Sequence, residues 1–174
     1  MIFRFLPLAL LAFATAMPTL AQDAPASAGP SQISEVYGDW TVNCGTSEGV
    51  RDCAISQSLM DTETRQHVLT LELYAAGQGT LEGMMVLPFG LNFGKGVALG
   101  VDDKELGVPL PFLTCLPTGC LVPVIFGSDE ADRLRAGTTL AITGTSAAGE
   151  EAVPLSISLA GFTGATARIA ELAK

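Results

Sequence analysis

The stretch Pro111-Phe112-Leu113-Thr114-Cys115-Leu116-Pro117-Thr118-Gly119-Cys120-Leu121-Val122 decides the fold. Two apolar runs face each other across Leu116-Pro117-Thr118-Gly119, with a cysteine at each end of those four residues. Pro117 presets φ for a turn position, and Gly119 can take the positive φ that closing the loop needs. The two thiols then lie opposite one another on neighbouring strands, within reach of a disulfide. From Leu106 to Ser128 there is no charged residue, a pattern that a hydropathy window flags as a membrane span. Pro109, Pro111, Pro117 and Pro123 exclude a continuous helix there, so the segment reads as a buried β-hairpin with proline-marked ends.

The flanking segments carry the same short-strand pattern. Tyr37 to Cys44 is the first expected strand, with Trp40, Val42 and Cys44 on one face, and Cys53 to Met60 returns after a Gly/Ser/Thr turn. His67 to Tyr74 alternates Leu69, Leu71 and Leu73 with Thr70 and Glu72, which implies one buried and one wet face. Leu81 to Leu87, Gly96 to Val101, Thr138 to Gly144 and Ala152 to Leu159 are further strands. Ser128 to about Ala136 reads as a short helix. Ser128 supplies the cap, Asp129 and Glu130 suit its positive end, Arg133 and Arg135 its negative end, and Gly137 is the stop. Thr163 to Leu172 reads as a second helix, with Ala165, Ile169 and Leu172 along one side. Eight or nine short strands with two short helices define an all-β protein, an antiparallel β-sandwich or partly closed barrel.

The amino terminus reads as a secretory signal. Arg4 is its positive charge, Phe5 to Ala16 its apolar run, and Thr19-Leu20-Ala21 offers small residues for cleavage between Ala21 and Gln22. The apolar run is short for a span of about 20 residues, and the first mature residue, Gln22, is not the cysteine that lipoproteins acylate. The expected layout is therefore signal peptide 1–21, a mobile Ala/Pro/Ser-rich leader 22–35, and a single β domain 36–174 with no transmembrane segment in the mature chain. The formal net charge is −9, and loss of Arg4 makes it more negative. Such a polyanion repels nucleic acid and anionic lipid, so nucleic acid is excluded as a partner class.

Four cysteines in an exported chain imply disulfides. Cys44–Cys53 and Cys115–Cys120 each bracket a turn-rich segment, and closing such short loops stabilises by about 2–3 kcal/mol each. A zinc site fits poorly, because eight and four residues separate the two pairs, and structural sites favour two-to-four-residue gaps. Thioredoxin-type chemistry places two residues between thiols at a helix start, whereas these cysteines fall on strands.

His67, the one histidine, lacks a nucleophile elbow or an evident orienting carboxylate, and a single imidazole cannot build a histidine metal centre. The acidic clusters Asp102-Asp103-Glu105 and Asp129-Glu130-Asp132 lack the alternate oxygen ligands around a glycine that calcium loops show. One Trp and two Tyr leave little aromatic platform for a sugar site. No enzyme, metal or cofactor is expected. Trp40 fits a core indole beside the first disulfide better than a ligand-stacking residue. Phe89, Leu91 and Phe93 lie in a glycine-punctuated link that reads either as a protein-contact loop or as packing under the sheet.

Gly38-Asp39-Trp40-Thr41-Val42-Asn43-Cys44, Cys53 with Gln57, Leu87-Pro88-Phe89-Gly90-Leu91 and Gly96 to Asp102 together resemble the invasion associated locus B family of exported Gram-negative proteins. Pro111 to Cys115, Gly119-Cys120 and Ser158-Leu159-Ala160-Gly161-Phe162-Thr163 extend the resemblance along nearly the whole domain. Phe89 departs from it, standing where a smaller aliphatic residue is expected. The resemblance implies a periplasmic or outer-membrane-associated β-protein, or a secreted one, linked by family name to host-cell entry and virulence. It implies no catalytic residues. The expected role is a disulfide-stabilised binding or structural module of the cell envelope with envelope or host proteins as partners, compatible with peripheral membrane association. A periplasmic carrier of a small apolar ligand, with a pocket between sheets or inside a partial barrel, is the alternative.

Overall fold

The computed structural model describes residues 32–173 apart from Glu48. The expected signal peptide, its cleavage point and residues 22–31 of the expected leader lie outside them. The other end of that leader is corrected. Gln32 to Glu35 belong to β1 (Gln32–Tyr37), which pairs with β2 (Trp40–Ser47) across a two-residue loop. Gly38 opens that loop with φ 57°, a backbone position that costs a glycine nothing.

Antiparallel pairing continues through β3 (Val50–Met60), β4 (His67–Gly77) and β5 (Thr80–Leu87). After β5 the chain leaves for a second sheet through β6 (Ala98–Val101) and β7 (Lys104–Glu105). It returns as the hairpin of β8 (Thr114–Leu116) and β9 (Gly119–Phe126), where β9 lies beside β5. Helix α1 (Ser128–Ala136) leads to β10 (Thr139–Thr145) and β11 (Ala152–Ser158), and α2 (Phe162–Leu172) follows. The result is a seven-stranded sheet, β1-β2-β3-β4-β5-β9-β8, and a four-stranded sheet, β11-β10-β6-β7, with no closed barrel. The described residues hold eleven strands rather than eight or nine, because β1 and the two-residue strand β7 carry too little pattern to be read alone.

Alternation sets the core. Cys53, Ile55 and Gln57 of β3, Leu69, Leu71 and Leu73 of β4, and Cys120, Val122, Val124 and Phe126 of β9 turn inward. All of these but Gln57 and Cys120 form one buried cluster with Leu140, Ile142 and Ile157 of the smaller sheet and with Phe162, Ala165 and Ile169 of α2. Helix α1 is capped differently from the expectation. Gly127 is its N-cap, and the Glu130 carboxylate accepts from the Gly127 N–H at 3.0 Å. Glu130 thereby satisfies a backbone donor at the helix entrance.

The joint between the sheets is polar and buried. Trp40 is fully buried, edge-on to Phe162, and its indole N–H donates to the Ser158 carbonyl at 2.9 Å. The Gln57 side chain donates to the same carbonyl at 2.9 Å and accepts from the Ser158 N–H at 3.0 Å. An inward-facing amide is thus satisfied by the backbone end of β11 instead of being left unpaired in the core. Next to this joint, Gly161 passes so close to β1 that a Cβ there would lie 1.9 Å from the Tyr37 carbonyl oxygen.

The structure pairs Cys44 with Cys53 across β2 and β3, and Cys115 with Cys120 across β8 and β9. Among the described residues no helix is long and apolar enough to cross a membrane.

Candidate functional site

The outer face of the seven-stranded sheet divides into two halves. Over β1 to β4 it presents Ser34, Thr41, Asn43, Ser56, Ser58 and Glu72, because these positions alternate with the buried set. Here a groove of ≈ 630 Å³ is lined by Asn43, Asp52, Glu72 and Tyr74. The Tyr74 phenol donates to Glu72, and this bond, with burial and the charges of Glu72 and Asp52, pushes the phenol up to about 12.

Over β5, β9 and β8 the same alternation exposes mainly apolar groups, with Glu82 opposite Ile125. Met84, Val86 and Leu121 are half-buried, and Leu116 and Ile125 are 48% and 69% exposed. The hairpin read as buried is therefore buried on one face only. Thr114, Cys115 and Leu116 are all exposed, because β8 is the sheet's last strand.

At the end of this apolar half lies a second cleft, also of ≈ 630 Å³. Val86 and Thr70, paired across β5 and β4, contribute to its lining, as do Phe89, His67, Pro117 and Thr118. None of its lining residues is an Asp, Glu, Lys or Arg. Phe89 is 61% exposed. His67 Nε2 lies 2.5 Å from the Thr70 hydroxyl, which in turn lies 2.7 Å from the Ser58 hydroxyl. This is a hydroxyl chain on a sheet face, with no carboxylate orienting the ring. In the turn that precedes β4, Asp61 accepts from the Thr64 N–H at 2.7 Å, the Thr64 hydroxyl at 2.9 Å and the Glu63 N–H at 3.0 Å. These bonds to Thr64 and Glu63 hold it below the ordinary carboxylate range.

The loop read as Phe89, Leu91 and Phe93 is split by the structure. Leu91 is only 5% exposed and belongs to the core, bridged to Ser146. Removing it from the contact loop is a correction, and its cause is packing against Gly144, where Leu91 fills the space a Cβ would take. Phe89 stands free at the cleft, while Phe93, 48% exposed, stacks on Phe112 with ring centroids 4.5 Å apart. Sequence reasoning missed Val86, Pro117 and Thr118 as neighbours of Phe89. Strict alternation along β9, with Cys120, Val122, Val124 and Phe126 inward, was the signal that Leu121, Pro123 and Ile125 face out.

The acidic clusters are occupied by structure. Asp102 accepts from the Thr138 and Thr139 N–H groups at 3.1 and 3.0 Å, and Asp132 pairs with Arg135 at 2.6 Å. Among the described residues no group of three His, Cys, Asp or Glu side chains is placed to hold a metal ion.

Fold and site together define a two-sheet β-protein stapled by two hairpin disulfides, with a cleft on its outer face that no Asp, Glu, Lys or Arg lines. The model of the invasion associated locus B (IalB) protein family matches residues 40–170, and the chain belongs to that family. An invasion protein B homolog of Brucella abortus (strain 2308) is 38% identical over 165 residues, covering 95% of this chain and 90% of the relative. Invasion protein B of Bartonella bacilliformis is 35% identical over 148 residues, covering 84% and 79%. The crystal structure of invasion associated protein B from Bartonella henselae is similar, with a TM-score of 0.75 and 32% identity over 80% of this chain and 96% of that one.

Proposed function

We propose that the protein is exported to the cell envelope and acts there as a binding module for other envelope or host proteins, without catalytic turnover. The observation that carries this reading is the uncharged cleft of Phe89, Val86, Pro117 and His67 beside the apolar half of the sheet. Large exposed apolar groups grouped on one face of a strongly acidic chain mark a contact surface. His67 is in this reading a polar wall of the cleft, its Nε2 bonded to the Thr70 hydroxyl on a sheet face and not part of a triad. Paired cysteines, the amino-terminal signal and family names that refer to invasion support export and a role in host interaction.

Crosslinking in intact cells, followed by identification of the captured proteins, tests it. Phe89→Ser should reduce capture several-fold while thermal unfolding stays unchanged, since Phe89 is mostly in water already. Equal capture by the wild type and by Phe89→Ser would remove the cleft from the proposal. The second reading, a carrier of a small apolar ligand, is supported by the cleft's volume, which falls in the range of small-molecule sites. Native mass spectrometry of protein taken from its own host decides it, and a clean apo mass counts against a carrier.

A further inference from the structure

The two faces of the seven-stranded sheet are covered unequally. The smaller sheet, α1 and α2 all pack on the inner face, through Leu140, Leu134 and Phe162 of the one buried cluster. That leaves no helix or second sheet over the outer face among the described residues. On that face Glu82, Pro123 and Ile125 are exposed, and Met84, Val86 and Leu121 are half-buried.

Charge on the outer face has one sign. The outward positions of β2 to β5, β8 and β9 hold three carboxylates, Asp52, Glu72 and Glu82, and no Lys or Arg. No ion pair among the described residues uses any of the three. Register sets two of them among the apolar groups instead of apart from them. Glu72 is paired with Met84, and Glu82 with Ile125, and directly opposed side chains begin about 5 Å apart.

That interleaving narrows the occupant. A purely apolar partner would bury Glu72 and Glu82 without a counter-charge. An unpaired buried carboxylate costs several kcal/mol, against about 1.5–3 kcal/mol gained for a fully covered Ile or Met. An anionic partner is repelled, and a second copy, with net charge −9, is one. Residues 22–31 of the chain itself offer Asp23 and no Lys or Arg. Lys and Arg meet both demands, because their methylene stems lie on apolar surface while their heads reach a carboxylate. A helix satisfies its own backbone groups, as an occupant of a sheet face must when no strand edge is offered to it. From Glu82 to Val86 the face runs about 14 Å along β5, the length of about nine residues of helix. We propose that the outer face over β4, β5 and β9 docks a cationic amphipathic helix of a partner protein, its apolar stripe on Met84, Leu121 and Ile125 and its Lys or Arg residues against Glu72 and Glu82. This rests on the binding-module reading and names the chemistry of the partner.

Fluorescence anisotropy of a labelled Leu/Lys amphipathic peptide of about fourteen residues, titrated with the oxidised protein, tests this. The peptide should bind reversibly and one-to-one. The same residues in scrambled order, or Glu in place of Lys, should bind about tenfold more weakly or worse. Ile125→Thr keeps a β-branched residue at an exposed position, and Glu82→Gln keeps the side chain's shape. Both should leave thermal unfolding unchanged, and each should weaken the Leu/Lys peptide by about fivefold or more. Glu150→Gln with Glu151→Gln, in the turn between β10 and β11, should change it by less than about twofold. Binding that ignores Ile125→Thr and Glu82→Gln, or that the scrambled peptide matches, overturns the proposal. So does self-association of the protein that Ile125→Thr abolishes, which would make the occupant a second copy. If Phe89→Ser lowers capture in cells while those two variants leave the peptide untouched, the binding-module reading stands and only the helix falls.

Discussion

The two disulfide hairpins are built alike and placed unlike. Each joins directly opposed residues of neighbouring antiparallel strands. Yet Cys44 and Cys53 are both buried, at 5% and 8% exposure, whereas the second pair joins the buried Cys120 to Cys115, which is exposed on the sheet's last strand. The early hairpin is covered by α2 and the end of β11, and the late one carries Leu116, Leu121 and Ile125 on an open face. The same local chemistry thus serves two ends with different tasks. One end holds the sheets together, and the other displays apolar surface beside a three-residue edge pairing.

The largest expected effect sharpens that division. Trp40→Ala removes a fully buried indole and orphans part of the Ser158 linkage, so it should cost about 3–5 kcal/mol in denaturant unfolding. Leu116→Ala, at the other end, should stay within about 0.5 kcal/mol. Equal losses from the two would mean that the late hairpin is as much a part of the core as the early one.

Reduction gives a smaller, directional test. Entropy alone separates the two crosslinks little, since loops of sequence separation 9 and 5 differ by only about 0.5 kcal/mol in closure. Residue exposure is what differs. Cys115 is an exposed residue of the sheet's last strand, while Cys44 and Cys53 are both buried, and thiol exchange depends on access. Under limiting reductant, alkylation and peptide mapping should find Cys115 and Cys120 labelled well before Cys44 and Cys53, with the sheet content retained. Simultaneous labelling would break the contrast.

The legibility of the chain follows the same line. Where one face is buried and one wet, as in Leu69, Leu71 and Leu73, alternation was enough, and cysteine spacing with turn residues was enough for both pairings. Gln57 sat in the inward phase of β3, yet its partner lies 101 residues away, a distance no local pattern bridges. Gln32 to Glu35 read as the end of an Ala/Pro/Ser-rich leader without periodicity, and the charge in their inward phase, Glu35, is paired by Arg168, folded in from α2. Phe89 was legible as an exposed aromatic in a glycine-rich link, but Leu91 two residues on was not legible as core, since Ser146 and Gly144 come to it through the second sheet.

The smallest effect separates the ends by pH. The hydrogen bonds from Arg168, and then from Tyr37, hold the Glu35 carboxyl below its ordinary value of 4.5. A depressed folded value means stability that is present above 4.5 and lost as pH falls through the lower folded value. Between Leu106 and Ser128 there is no group to titrate. Acidification below 4.5 should therefore loosen β1 and α2 first, seen as faster amide exchange there than in β9. Arg168→Gln should flatten this acid dependence while leaving exchange in β9 unchanged. If β9 loses protection together with β1 as the pH falls, the two ends unfold as one unit and the difference between the hairpins is one of exposure alone.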